Sequence, residues 1–208
     1  MIVAAFCLSS WDGKEPIDDS AKKNEAFEGI AETFYSNTLS PTYRSLAEKT
    51  GQLAEALEAF QATPSQPALD KVCSIFLSAR AQWELSEAFL FGAATDFGID
   101  PHIDSWPLDE DAFKRLLDSP AILAALKGED ADIYAGENLG NALLGFHGIE
   151  FVIFEAGAPK SYTKLTEDEV AYAVAVAGDL RNSTWRLEVS WLGDEAPQEH
   201  VQACEDLE

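Results

Sequence analysis

From about position 20 to position 191 apolar residues recur at intervals of three and four, and the two-residue alternation of a half-buried strand is hardly present. After a stretch closed by Pro16, Asp18, Asp19 and Ser20 are acidic or capping residues placed to open a helix. The pattern then runs through Phe27, Ile30, Phe34 and Tyr35. Pro41 lacks an amide donor and restricts Ser40, which predicts a kink or break there. Helix resumes through Tyr43, Leu46, Leu53, Leu57 and Phe60. A further helix is predicted from Pro67, suited to a first helical position, to about Phe91. Its inward side carries Leu69, Val72, Cys73, Phe76, Trp83, Leu85 and Phe89. A long Gly/Asp/Pro-rich loop follows, of the length that often carries function, then two short helices at 109–119 and 120–128. The apolar run ending at Gly157 reads as one helix. Thr166 and Glu169 form a capping box for a last helix to about Trp191. Together these predict an all-α fold, an up-down helical bundle with a long loop and short helices in one crossover. The expected layout is a leader and linker at 1–17, a helical domain at 18–193 and an acidic tail at 194–208 that frays.

Charge narrows the partners. The 208 residues hold 14 Lys and Arg against 37 Asp and Glu, a net charge of −23. Such a surface repels a phosphate backbone, so nucleic acid is excluded as a partner, and anionic membrane surfaces are disfavoured. Cations and basic partners are favoured. No apolar run approaches the roughly 20 residues that cross a bilayer, so no transmembrane segment is expected. The apolar stretch at 2–8, followed by small and then polar residues, reads as the remnant of a secretion signal. The three cysteines, Cys7, Cys73 and Cys204, form no CxxC pair and no disulfide framework; Cys73 reads as a small buried hydrophobe.

The sharpest local feature is Gly145-Phe146-His147-Gly148-Ile149-Glu150. On a helix, positions i and i+3 share a face, so His147 and Glu150 project together into an apolar stripe. Burying both costs several kcal/mol unless they pair or hold a cation. The two glycines are poor helix formers and predict close approach of another backbone or a ligand. The second feature is Trp83-Glu84-Leu85-Ser86-Glu87, where Glu87, set among aromatics, is the candidate interior acid. Glu84 can pair with Arg80 across one helical turn. The third is the loop Asp100-Pro101-His102-Ile103-Asp104-Ser105-Trp106-Pro107, able to bring a second histidine and carboxylates over the bundle.

These three segments, WELSEAFLFG, DFGIDPHIDSWPLD and LGFHGIEFVIF, closely resemble the imelysin family, bacterial cell-envelope proteins with a Gly-x-His-x-x-Glu motif. The resemblance covers roughly residues 20–193. It implies an all-helical protein of two bundle-like halves with the motif at the groove between them, and a classification as metallopeptidase. It also implies a link to iron uptake and an exported protein of the periplasm or outer membrane. Carried over by matching position, the candidate site is His147 and Glu150, with Glu87, Ser86 and Asp104. Two departures stand out. Family members continue into a second half, so a second imelysin-like half or another envelope protein is an expected partner, and the face with Trp83, Phe89 and Phe146 is expected to be partly uncovered. Trp11 stands where a lipoprotein-like signal would carry its lipid-bearing cysteine.

Three functions are then in play. The first is binding of a divalent metal, iron or zinc, or of a small ligand, through His147, Glu150, Glu87, Asp104 and His102. Imidazole with carboxylate suits zinc, iron or manganese. Arg80 is the internal alternative as counter-charge, and Trp83 and Trp106 flank the site. The second is a zinc peptidase with Glu150 and Glu87 as catalytic acids. It needs three protein ligands and a base, so His102 or Glu87 would have to complete the set. The third is a scaffold in which His147 and Glu150 are structural.

Overall fold

The computed structural model describes residues 19–206. The expectations for the leader at 1–17, including the secretion-signal remnant, Cys7 and Trp11, fall outside that range. Within it the chain is helical almost throughout, as the apolar spacing predicts. Helix α1 spans Ser20–Phe34, α2 Ser40–Ala62 and α3 Gln66–Ser86. The crossover holds α4 (Ala93–Asp96), α5 (Ile99–Ile103), α6 (Glu110–Leu117), α7 (Pro120–Ala125), α8 (Ala131–Asn138) and α9 (Gly145–Ile153). The long α10 (Glu167–Leu192) and α11 (Gln198–Asp206) complete it. Helix α10 is the axis of the fold. It packs on α2, α8, α9 and α11, while α2 packs between α10 and α3. Apolar side chains of all three long helices, among them Tyr43, Leu53, Phe76, Trp83, Tyr172 and Leu187, form one buried core.

Helix ends follow the local chemistry. Ser65, Asp109 and Ser119 cap α3, α6 and α7 through their side chains. Thr166 and Glu169 form the reciprocal box at the start of α10, as the sequence predicts. Gln66 and Pro67 begin α3, where a missing amide proton costs nothing.

Five features differ from the sequence reading. At Pro41 the chain does not break. Residues Tyr35–Leu39 form a π turn, in which the amide of Ser40 donates to Tyr35 O, five residues back. The wider turn makes room for the proline ring against the preceding carbonyls, and α1 continues into α2. Helix α1 buries no residue, and Phe27 and Ile30 remain about two-thirds exposed at 66% and 64%, so three rather than four long helices make the body. The apolar run to Gly157 is not one helix. Leu144 is extended, Gly145 has φ +67, and after Ile153 the chain turns through Ala156 and Gly157, both at positive φ. This pairs Phe154–Glu155 (β1) with Ala158–Pro159 (β2). An apolar run too short to show a period hid this small hairpin. Finally, the acidic tail folds as α11. The face carrying Trp83, Phe89 and Phe146 is covered too, since all three side chains are buried.

Candidate functional site

Asp104 follows the last residue of α5, where the backbone leaves helical geometry and turns the carboxylate back toward α3. Trp83 Nε1 donates to Asp104 Oδ2 at 2.7 Å, and Arg80 donates to Oδ1. Arg80 also bridges Glu84 Oε1 at 2.6 Å, one helical turn along α3, and lies over the Phe146 ring at 5.4 Å. Asp104 is thus a largely buried anion whose charge is matched by a guanidinium and whose second oxygen is held by an indole.

Helix α9 brings the histidine to this anchor through its glycines. At Gly145 a Cβ would land against the backbone carbonyl of Ile103, the residue before Asp104. At Gly148 a Cβ would lie 2.5 Å from the Tyr172 hydroxyl, which donates to Leu143 O at 2.6 Å. Close approach of another backbone, expected from the sequence, occurs at Gly145. His147 Nε2 then lies 3.0 Å from Asp104 Oδ1, and its Nδ1 lies 3.2 Å from Glu150 Oε2. Trp106 covers the imidazole at a centroid distance of 4.8 Å.

This pairing has a chemical consequence. A neutral imidazole carries one N–H and one lone pair. If Nε2–H donates to Asp104, the lone pair on Nδ1 faces the Glu150 carboxylate, and two electron-rich atoms confront each other. The Glu150 side chain is half exposed at 50%, so its charge is solvated rather than buried, and a cation can enter between the two atoms from solvent. Nδ1 and Oε2, 3.2 Å apart, are spaced so that one ion at the usual bond lengths of about 2.1 Å reaches both. Asp104 would then be the outer carboxylate that fixes the ring of a metal-bound histidine.

The pair opens on a cleft of about 450 Å³ lined by Leu77, Trp106, Pro107, Glu110 and Phe151 as well as His147 and Glu150. Trp106 is 74% exposed and Leu77 58%, so the cleft presents apolar side chains to solvent on one side and carboxylates on the other. Leu77, Phe151 and Glu110 were not readable as site residues. Their spacing is that of ordinary helix positions, and only the fold of the crossover gathers them.

Of the residues singled out in sequence, the structure brings together His147, Glu150, Asp104, Arg80, Trp83 and Trp106. Glu87 is not among them. α3 ends at Ser86, and Glu87 enters a tighter 3₁₀ turn that leaves it exposed instead of one turn above Trp83. Ser86 is buried, and its hydroxyl donates to Trp83 O at 2.7 Å, bracing the helix end behind the site. His102, placed by sequence beside His147, faces another way, because α5 turns its successive residues to different sides. Its Nε2 lies 2.9 Å from Asp179 Oδ2 on α10, in a second pocket of about 470 Å³ bordered by Asp132, Asn182, Arg186 and Cys204. Among the described residues no group of three His, Cys, Asp or Glu side chains converges in a way that could hold a metal. Asp104 and Glu150 stand on opposite sides of the His147 ring.

The hydrogen bond to Asp179 holds the His102 imidazole above its ordinary value, against the opposing effect of burial. The stability it contributes is fully present below pH about 6.5, the unfolded value. It is lost as pH rises through the higher folded value. Urea unfolding of the protein is therefore expected to show falling stability from about pH 6 to pH 8, and His102→Gln is expected to flatten that decline. An equal decline in both proteins would rule this pair out as the source.

The chain belongs to the imelysin family, whose sequence profile matches residues 39–207. It is similar to iron-regulated protein A of Synechococcus elongatus, with 28% identity over 158 residues, 76% of this chain and 38% of that protein. The crystal structure of an iron-regulated protein A precursor from Parabacteroides distasonis superposes with a TM-score of 0.70 at 27% identity, over 94% of this chain and 53% of that one. An imelysin peptidase from Bacteroides ovatus matches at 37% identity and TM-score 0.51, over 60% of this chain and 35% of its own. The chain thus spans roughly two-fifths to half the length of the iron-regulated relatives it matches. Among the described residues no helix is long and apolar enough to cross a membrane.

Proposed function

We propose that this chain is an exported, iron-related protein of the bacterial cell envelope that binds a divalent cation through His147 Nδ1 and Glu150 Oε2. The observation that carries this reading is the imidazole with a carboxylate at each nitrogen, 3.0 and 3.2 Å away, of which, among the described residues, the inner one, Asp104, is matched by Arg80 while the other, Glu150, stands half exposed and open to a cation. The relatives named as iron-regulated proteins support iron, and a nitrogen–carboxylate pair also suits zinc and manganese. Two protein donors leave the remaining coordination positions to water, to a bound ligand or to a partner such as a second imelysin-like half. The zinc-peptidase reading ranks second. It asks for three protein ligands and a separate base, and neither Glu87 nor His102 reaches His147 to supply them.

The test is thermal unfolding with Mn²⁺, Zn²⁺ and, under anaerobic conditions, Fe²⁺. A cation that binds only the folded chain is expected to add about 2.7 kcal/mol at a hundredfold excess over its dissociation constant. Glu150→Gln and His147→Ala are each expected to abolish that gain with the helical circular dichroism intact. An unchanged melting temperature with all three metals would leave His147 and Glu150 as a structural pair.

A further inference from the structure

Two ion pairs form the floor of the pocket beside His102, and the contact between α8 and α10 is built around them. Asp179 on α10 is buried, and its two oxygens lie 2.9 and 3.0 Å from His102 Nε2. Asp132, near the start of α8, accepts from Arg181 at 2.9 Å and from Asn182 at 3.0 Å through one oxygen, Oδ2. A glycine faces each carboxylate across the helix contact. A Cβ at Gly136 of α8 would run into Asp179 Oδ1, and one at Gly178 of α10 would run into Asp132 Cβ. Partly buried ion pairs are costly where apolar side chains would pack as well. A polar floor in a pocket of about 470 Å³ suits a ligand that brings polar groups of its own. The groups left over sort by wall. Ser183 and Arg186 are three residues apart on α10, on one face of it, and both border the pocket. Among the described residues no hydrogen bond or ion pair uses the Ser183 hydroxyl or the Arg186 guanidinium, which lies over the exposed Phe97 ring at 5.1 Å. On α8, the bonds to Asp132 use Oδ2 alone, and Glu137 at the rim has no ion pair among the described residues. Phe97, Ile99 and Ile133 supply apolar lining.

We propose that this pocket binds a small apolar zwitterion, a free amino acid or a dipeptide, with its carboxylate on Ser183 and Arg186 of α10 and its ammonium group on Asp132 and Glu137 of α8. The charges select this class. His102 matches Asp179 and Arg181 matches Asp132, which leaves one guanidinium on the α10 wall and one carboxylate on the α8 wall. A ligand with one charge of each sign leaves the pocket balanced. A simple anion would face Glu137 and approach against a net charge of −23, and a simple cation would face Arg186. A guanidinium laid on an aromatic ring keeps its edge donors for a carboxylate, which it holds through two parallel hydrogen bonds. The apolar side chain of the ligand then lies on Phe97, Ile99 and Ile133. This pocket is separate from the cleft of His147 and Glu150, so its ligand is independent of the cation proposed there.

The experiment is a titration of the full chain near neutral pH, followed by ligand-observed NMR. The probes are leucine, leucyl-leucine and two leucine analogues that each lack one charge, isopentylamine and isocaproate. Leucine or leucyl-leucine is expected to bind, and the tighter of the two identifies the source of the zwitterion. Each analogue is expected to bind about tenfold more weakly than leucine, the loss of one charge-assisted hydrogen bond. Arg186→Gln and Glu137→Gln alter exposed side chains and are expected to keep the helical circular dichroism. Arg186→Gln is expected to weaken leucine about tenfold and leave isopentylamine unchanged, because the amine has no carboxylate to lose. Glu137→Gln is expected to weaken leucine and leave isocaproate unchanged. Absence of binding by both zwitterions at about 10 mM, or equal leucine affinity in Arg186→Gln and the parent protein, would overturn the site. An analogue that binds as tightly as leucine and leucyl-leucine would overturn the ligand class.

Discussion

Asp104→Ala is expected to cost about 3 kcal/mol in urea unfolding and to dismantle the cation site at the same time. The carboxylate is the shared partner of Arg80, Trp83 and His147. Removing one member of a largely buried ion pair strands the others, with typical costs of about 3–5 kcal/mol. The lower end applies because Arg80 keeps Glu84, whose side chain is half exposed at 47%. Asp104→Asn separates the two effects. It keeps an oxygen for the Trp83 indole and removes the charge that orients His147. Metal titration of this folded variant is expected to show affinity about 10–100-fold weaker, the usual loss when an outer carboxylate is removed. Glu87→Gln is the contrasting variant. Its side chain lies exposed outside the cleft, so both stability and metal affinity should match the parent protein. Undiminished metal affinity in Asp104→Asn would disprove the supporting role of this residue.

Gly145→Ala carries the other large effect, about 3 kcal/mol or more by equilibrium unfolding. The backbone there has φ +67, a region in which a side chain is strained by roughly 1–3 kcal/mol, and the new methyl group meets the Ile103 carbonyl. Relief requires α9 to move away from α5, which also separates His147 from Asp104. Gly157→Ala provides the comparison. It has φ +76 but open space around the position, so only the conformational penalty of about 1 kcal/mol is expected. Equal losses at the two positions would mean that contact with Ile103 adds nothing.

Much of this was legible because helices write their periodicity into the chain. The capping box at Thr166, the short crossover helices and the grouping of His147 with Glu150 depend only on residues three or four apart. The approach of Asp104 to His147 was readable through resemblance and by the glycines, which mark a place where backbones meet. Glu87 was misplaced because it lies at the end of α3, where the change to a tighter turn leaves it exposed. His102, read from sequence in a loop, was misplaced because that stretch folds as the short helix α5, which turns its successive residues to different sides. The partners Asp179 and Glu188 left no local sign, since both sit within a helix that otherwise reads as a regular pattern. His200 looked like part of a frayed tail because its partner, Glu188, is twelve residues back, across a turn.

The π turn at Tyr35–Leu39 has a consequence for the first helix. One residue more than an α-helical turn requires is accommodated there, so the azimuth of α1 is offset by about 100° from the direction an unbroken α-helix would give it. Tyr35, whose hydroxyl donates to Trp191 O at 3.2 Å, pins that offset to the end of α10. The compass bearing of Phe27, Ile30 and Phe34 is therefore set by a single surplus residue beside a proline, and a one-residue deletion in this turn would re-aim all three together and withdraw Phe34 from its edge-on contact with Phe89.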